Sequence, residues 1–260
     1  MLKTERMDRV RAALRAQGLT QMIVCDPKSV WYLTGVAVEP YERLLALYLP
    51  TEGEPVLFLN RLFNVPEPPC RTVWHTDTDK PVAQIAEVVD AGKPLGIDKE
   101  WPARFLIPLM ETHPGMQVVL SSDCVDDCRA CKDAEEQSLM REASRINDAV
   151  NEAAKHYIKA GMTEREVAEF IDAQFRAHGC EGPSFTTIVS FGANAADPHH
   201  EPDDTVLKEG DCVLFDMGCV KSRYCSDMTR TWFCGQPTEK QAAVHDLVRR
   251  ANETAEALIK

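Results

Sequence analysis

Two aspartates in an otherwise apolar stretch are the residues with the clearest potential for chemistry. The stretch VLFDMGCVKSRYCSDMTRTW, residues 213–232, holds Asp216 in one β-like run and Asp227 in the next. The polar tripeptide KSR between the runs predicts an antiparallel hairpin. If the loop centres on Lys221 and Ser222, the numbers of cross-strand partners sum to 443, which places Asp216 opposite Asp227.

Two carboxylates that face each other across a ladder need compensation. Their Cβ atoms lie about 4.5–5.5 Å apart, and the repulsion grows as solvent is excluded. A shared proton can compensate the pair, but a hard divalent cation compensates more charge and also supplies chemistry. Two cations about 3.5–4 Å apart would suit a bridging carboxylate. The alternative is that both aspartates lie at strand ends and are simply solvated.

Further polar residues lie close to this pair in the sequence. Thr229 shares the face of Asp227 by the period of two, so its hydroxyl can orient a ligand, whereas Arg230 points away. The turn-rich loop GANAADPHHEP, residues 192–202, carries two histidines that can reach a site on neighbouring strands. The alternative is that His199 and His200 are ordinary surface histidines.

Composition excludes several classes of partner. A net charge of −12 disfavours nucleic acid and anionic lipid, both of which require basic patches. The charged, amphipathic N-terminal stretch and the lack of a long apolar run predict a cytoplasmic protein without a membrane partner. The ten cysteines are scattered, and the cluster CVDDCRAC lacks the paired knuckles of a zinc site, so reduced thiols are expected.

The first half of the chain predicts an α/β domain over residues 1–122. Residues 3–17 form a helical pattern that stops at Gly18, and MIVCD reads as a buried strand. VWYLTG, RLLALYLP and PVLFLN predict further strands, after which helices and strands alternate. The segment around SSDCVDDCRACKD predicts a linker over residues 123–135.

The second half predicts an α+β domain over residues 136–260. A long helical pattern stops at Gly161, and a capping box formed by Thr163 and Glu166 begins the next helix. Strands and turns follow. The last segment predicts a helix that continues to the final residue and has an apolar stripe that needs covering, formed by Val244, Leu247, Val248, Ala251 and Leu258.

Two long stretches resemble a known family. The segment SFTTIVSFGANAADPHHEPDDTVLKEGDCVLFDMGCVKSRYCSDMTRTWFCG resembles the signature of the pita-bread metallopeptidases, namely prolidase, aminopeptidase P and their relative creatinase. RAALRAQGLTQMIVCDPKSVWYLTG resembles the opening of their creatinase-like N-terminal domain. The resemblance implies an α/β N-terminal creatinase-like domain followed by an incomplete α+β pita-bread domain.

The resemblance also implies an activity and a homodimer. In this family a histidine, two aspartates and two glutamates hold two divalent metals, commonly manganese, cobalt or zinc, which activate a water to cleave the bond before proline. By this similarity Asp216 chelates one metal and Asp227 bridges both. His199 contacts the proline-containing dipeptide or peptide substrate and stabilises the intermediate, while His200 receives no role.

Several alternatives remain open at this point. The family's histidine and glutamate ligands follow the last helix of this sequence, so the chain is expected to be a metal-poor, inactive fragment. Creatine hydrolysis is disfavoured because Asp216 and Asp227 are both present. A related hydrolase or lyase acting on a small non-peptide substrate and a non-catalytic scaffold are the alternatives, and dipeptidase and aminopeptidase P are not distinguished.

Overall fold

The chain divides between Lys132 and Asp133 into two units, each with its own hydrophobic core. The computed structural model describes residues 3–259. None of the helices among these residues has the length and apolar character needed to cross a membrane.

The first unit is built on a six-stranded mixed sheet of order β4-β3-β2-β1-β5-β6. Strand β2 pairs antiparallel with β1 and β3, and the other pairs are parallel. Because β1 and β3 are buried along their whole length, both faces of the sheet are covered. The elements are α1 Thr4–Ala16, β1 Gln21–Val24, α2 Pro27–Thr34, β2 Ala46–Pro50, β3 Val56–Asn60, β4 Arg71–His75, α3 Pro81–Ala86, β5 Leu95–Ile97, α4 Ala103–Thr112, β6 Val118–Leu120 and α5 Asp123–Ala130.

Capping overrides β propensity in one element of this unit. The stretch VWYLTG, expected to be a strand, lies in helix α2. The Asp26 carboxylate accepts the backbone N–H groups of Lys28 and Ser29, Pro27 occupies the first turn, and Gly35 ends the helix with φ 75°. These local signals outweigh the β-branched and aromatic residues between them.

The predicted linker over residues 123–135 is helical for most of its length. It contains α5, whose Cys124 and Val125 are buried in the first unit's core. The Tyr32 hydroxyl donates to the carbonyl of Cys128 at 3.1 Å, which fastens the helix further. The connection to the second unit is therefore only the few residues between α5 and the next helix.

The second unit packs two helices against one face of a three-stranded sheet of order β12-β9-β8. A second small sheet has the order β11-β10-β7. The elements are α6 Ala134–Tyr157, α7 Glu164–Ala177, β7 Gly182–Pro183, β8 Ile188–Phe191, a 3₁₀ turn Gly192–Ala196, β9 Cys212–Met217, β10 Cys219–Lys221, β11 Tyr224–Cys225, β12 Met228–Phe233 and α8 Glu239–Glu256.

Alternation along β9 separates a core face from an open face. Val213, Phe215 and Met217 are buried in the core formed with α6 and α7. Leu214 and Asp216 lie on the opposite, partly accessible face. The fold therefore places the first candidate carboxylate on the face of the sheet that the helices leave open.

The N-termini of two helices in this unit lie where capping residues occur in the sequence. The capping box of Thr163 and Glu166 is formed as predicted, and Thr238 makes an equivalent box with Gln241 at the start of α8. The prediction that α8 continues to the final residue is wrong, since the helix ends at Glu256, and Lys260 lies outside the described residues.

Candidate metal centre

The hairpin that carries the two aspartates has a different register from the predicted one. Asp216 pairs with Thr229, and Val220 pairs with Cys225, so partner numbers sum to 445 rather than 443. The turn centres on Ser222 and Arg223, whose φ values of 49° and 68° suit the two central positions of a type I′ turn. The prediction that Asp216 lies directly opposite Asp227 is therefore wrong by two residues.

A shift of two residues preserves the face, so the two carboxylates still lie close together. Side chains alternate with a period of two, and only an odd slip would have moved Asp227 to the other side. The Asp227 carboxylate lies within interaction distance of the Asp216 carboxylate, as does the hydroxyl of Thr229. The structure thus brings together three of the four predicted site residues.

Gly218 makes the bend that brings Asp227 to this position. A Cβ at Gly218 would overlap the carbonyl oxygen of Ser226 and the hydroxyl of Ser184. The Ser184 N–H donates to the Gly218 carbonyl at 3.0 Å, and the Ser184 hydroxyl donates to the Ser226 carbonyl at 2.8 Å. The hairpin passes here from one small sheet to the other, and Asp227 follows Ser226 directly.

The electrostatics of the pair favour a cation. Burial, and then the neighbouring Asp227, raise the pKa of Asp216, while a hydrogen bond from Thr229 lowers it. Asp216 Oδ1 is buried and has no hydrogen-bond partner among the described residues. None of the ion pairs within residues 3–259 involves either aspartate.

These residues fit a hard divalent cation. Such ions prefer carboxylate oxygens, and a buried acceptor without a donor is a free ligand position. Oxygen ligands suit manganese better than they suit softer metals. Two carboxylates alone leave most coordination positions to other ligands or water.

His199 lies on an exposed turn that follows the 3₁₀ turn after β8. Its N–H donates to Asp197 Oδ1 at 2.9 Å, and the His200 N–H donates to the Asp197 carbonyl at 3.3 Å. Among the described residues, the structure records no hydrogen bond between the His199 side chain and either Asp216 or Asp227. Its role therefore remains a prediction from the family resemblance.

A buried carboxylate beside this turn was not predicted from the sequence. Glu164 is fully buried, and its Oε2 lies 2.7 Å from His200 Nε2. Ligand atoms of Glu164, His200 and Asp203 all lie within 4.8 Å of one another, as in a metal site. The Glu164 carboxylate, however, already accepts from Phe191 N, Asn194 Nδ2, His200 and Asp203 N. The cluster is therefore a saturated hydrogen-bond network rather than a metal site.

Glu164 escaped prediction because its sequence context is ordinary. It is the first residue after the cap Thr163, where acidic residues are common because they favour the positive end of the helix dipole. Its only distinguishing signal would have been the polar loop far along the chain that its side chain binds.

Comparison with known proteins identifies relatives for both units. A model described as creatinase/prolidase N-terminal domain matches residues 6–131, and one described as metallopeptidase family M24 matches residues 138–260. An uncharacterized peptidase of Staphylococcus saprophyticus is 32% identical over 264 residues, covering 98% of this chain and 73% of that protein.

Solved structures give the same result. A prolidase from Thermococcus sibiricus has a TM-score of 0.88 at 30% identity, covering 98% of this chain and 72% of that one. A dipeptidase from Pyrococcus horikoshii has a TM-score of 0.86 at 30% identity, covering 96% and 71%. The prediction of an α/β creatinase-like domain followed by an α+β pita-bread domain, shorter than in these relatives, is confirmed.

Proposed function

This chain belongs to metallopeptidase family M24. We propose that it is part of a metal-dependent hydrolase that cleaves the peptide bond before proline. The observation that carries the proposal is the Asp216 oxygen that is buried beside the Asp227 carboxylate and has no hydrogen-bond partner in the part of the chain that the structure describes. The similarity to a protein described as a prolidase supports the Xaa-Pro substrate. The proposed substrate class includes both dipeptides and longer peptides.

Each candidate residue has its own proposed role. Asp216 would chelate one of two divalent cations, with manganese proposed and cobalt or zinc as alternatives, and Asp227 would bridge both. Bound there, the cations supply Lewis acidity to a water and to the scissile carbonyl. Thr229 orients the Asp216 carboxylate through its hydroxyl. His199 donates a hydrogen bond to the substrate, which stabilises the negative charge that develops on its carbonyl oxygen.

A product limited to these 260 residues is proposed to bind metal weakly and to lack activity. The remaining ligands that the resemblance implies, a histidine and two glutamates, have no assigned position among the described residues. The affinity of oxygen-ligand sites falls as the number of charged ligands falls, and the weakest calcium sites have dissociation constants of roughly 10⁻⁴–10⁻³ M. The full-length gene product is therefore the appropriate protein for an activity test.

Organisation and location complete the proposal. We place the end of the creatinase-like domain after α5, at Lys132 instead of residue 122, because α5 packs in the first unit's core. A homodimer is proposed from the resemblance, and a monomeric mass of the full-length product in solution would contradict it. A cytoplasmic location remains a prediction from the sequence.

The test of the proposed function replaces the bridging carboxylate. Asp227→Asn in the full-length product is expected to lower manganese-dependent cleavage of Xaa-Pro dipeptides by about 10³-fold, because an amide cannot bridge two cations. Asp204→Asn is the matched control, since Asp204 is 85% exposed and its one recorded ion pair within residues 3–259 is with Arg165 on the surface. Equal activity of Asp227→Asn and the control would reject the assignment and favour the scaffold alternative.

A further inference from the structure

The Glu164 carboxylate joins the two ends of the loop that carries His199. Its Oε1 accepts from Phe191 N at 2.7 Å and Asn194 Nδ2 at 3.0 Å, where the loop begins. Its Oε2 accepts from His200 Nε2 at 2.7 Å and Asp203 N at 3.2 Å, where the loop ends. One buried side chain therefore closes residues 191–203.

Backbone contacts of the same helix start hold the far end of the loop in register. The Glu164 N–H donates to the Thr205 carbonyl, and the Arg165 N–H donates to the Asp203 carbonyl, each at 3.1 Å. The loop end is thus fixed to the first turn of α7. The Glu164 side chain extends this attachment across to the end of strand β8.

The loop between these anchor points has a defined turn with His199 at its tip. Asp197 and Pro198 occupy the first two positions of a turn, where these residue types are favoured, and Asp197 accepts from the His199 N–H. The His200 ring is directed inward to Glu164, whereas the adjacent His199 side chain is exposed. Fixing His200 therefore fixes the direction in which His199 leaves the turn.

The chemistry of the site requires a carboxylate in place of an amide. The four hydrogen bonds recorded for the Glu164 carboxylate are all donated by its partners, with His200 donating from Nε2, and only an acceptor-only side chain can satisfy all four. The Asp203 carboxylate lies close to the Glu164 carboxylate as well. A glutamine would present its own N–H groups to at least one pair of donors. Because Glu164 is fully buried, water cannot repair that mismatch.

From this geometry we propose that Glu164 is a positioning residue, which acts through His200 and the loop ends to hold His199 where it contacts the substrate. The inference rests on the proposed function for the role of His199, while the anchoring of the loop stands on the contacts alone. Losing the anchor would leave the two aspartates untouched and would let the His199 turn move relative to them.

The first test measures amide hydrogen exchange in the 260-residue chain, which needs no metal or activity. In Glu164→Gln, the amides of Phe191 and Asp203 are expected to exchange about tenfold faster or more, while those of Ile188 and Phe215 in the adjoining ladders stay protected. Glu166→Gln is the matched control, because it makes the same change two residues away and preserves the capping box. A uniform rise across the unit, or no rise at all, would overturn the anchoring.

A second variant covers the case in which Glu164→Gln does not fold. His200→Ala leaves the carboxylate its other three partners and removes only one contact at the far end. Faster exchange is then expected at Asp203 but not at Phe191. If the Asp203 and Phe191 amides each exchange at the same rate in this variant as in the unchanged protein, the proposal is also overturned.

The second test is a double-mutant cycle in the full-length product. Glu164→Gln and His199→Ala are each expected to lower kcat for Xaa-Pro cleavage about tenfold or more with a smaller change in KM. The double variant is expected to be no slower than His199→Ala alone, because Glu164 acts through that residue. If the effects of the two substitutions on kcat are additive in an active enzyme, the positioning role of Glu164 is overturned and the proposed function is not. Absence of Xaa-Pro cleavage by the unchanged protein would instead reject the proposed function.

Discussion

Burial decides which of the ten thiols can react. All ten cysteines are unpaired in the structure, and Cys131 and Cys225 are exposed. Burial raises the pKa of Cys124 to about 11. Burial, together with a hydrogen bond to Cys219, raises the pKa of Cys180 to about 12. Thiolate is the reactive form. At these buried positions a raised pKa lowers the thiolate fraction, and burial also limits access by a reagent, so both effects lower reactivity.

Alkylation at pH 8 should therefore be selective. Iodoacetamide is expected to label Cys131 and Cys225 first, whereas Cys124 holds about a hundredfold less thiolate than a thiol of ordinary pKa 9.0. Its labelling, and that of Cys180, should rise only as the pH approaches their raised pKa values. Mass spectrometry of tryptic peptides measures the order, with all ten thiols labelled in guanidinium as the control. Early labelling of Cys124 would contradict its burial.

The site shows which single residues could be identified from the sequence. Asp216 and Asp227 stand out because charged residues are rare within apolar β-like runs. Their exact pairing could not be predicted, because Ser222 and Arg223 both adopt left-handed φ values that favour glycine and asparagine. Glu164 could not be recognised at all, since its function depends on a loop far along the chain. Local pattern thus identifies a residue type, and tertiary contacts assign its partner.

At the scale of elements, the hairpin is shaped by its bend as much as by its strands. Gly218 separates β9 from β10, and Ser184 and Ser226 close around it. The amphipathic helices were predictable because their caps and periods agree, as at Thr163 and Glu166. The division of one long hairpin between two sheets could not be predicted. Its cause is a close backbone approach, which leaves no repeating pattern in the sequence.

Gly218→Ala should therefore destabilise the second unit strongly. The added Cβ meets the backbone oxygen of Ser226, which cannot rotate away, so the bend must open. We expect a loss of about 3 kcal/mol in the free energy of unfolding, measured by urea titration with circular dichroism. Gly92→Ala is the control, because its Cβ would meet only the Asp90 side chain at 3.3 Å. A loss equal to that of the control would show that the bend is adaptable.

Within residues 3–259, the core clusters of the first unit have no residue in common with that of the second unit. The buried clusters of the first unit lie entirely before Lys132, and that of the second unit begins at Ala143. Composition and element order were enough to predict this organisation, since each half has its own apolar pattern. The boundary predicted at residue 122 falls before α5, because the acidic, cysteine-rich sequence of this helix looks like a linker, although one side of it is buried.

Helix α8 differs from every other long helix of the described chain in having no buried residue. Val244, Leu247 and Val248 are 52%, 58% and 62% exposed, as the unsatisfied apolar stripe in the sequence indicated. A stripe of this kind contributes little to the stability of the 260-residue chain and leaves an apolar surface exposed to solvent.

Val248→Glu should for this reason be nearly neutral for folding but not for association. We expect the free energy of unfolding of the 260-residue chain to change by less than about 0.5 kcal/mol, because the side chain is already in water. Self-association in sedimentation velocity and binding of a hydrophobic dye should both fall, because the charge interrupts the apolar stripe. Ala242→Glu adds the same charge to the opposite side of the helix and should leave both unchanged. A large loss of stability in Val248→Glu would mean that the stripe is packed within the chain itself, and equal association in the two variants would mean that another surface is responsible.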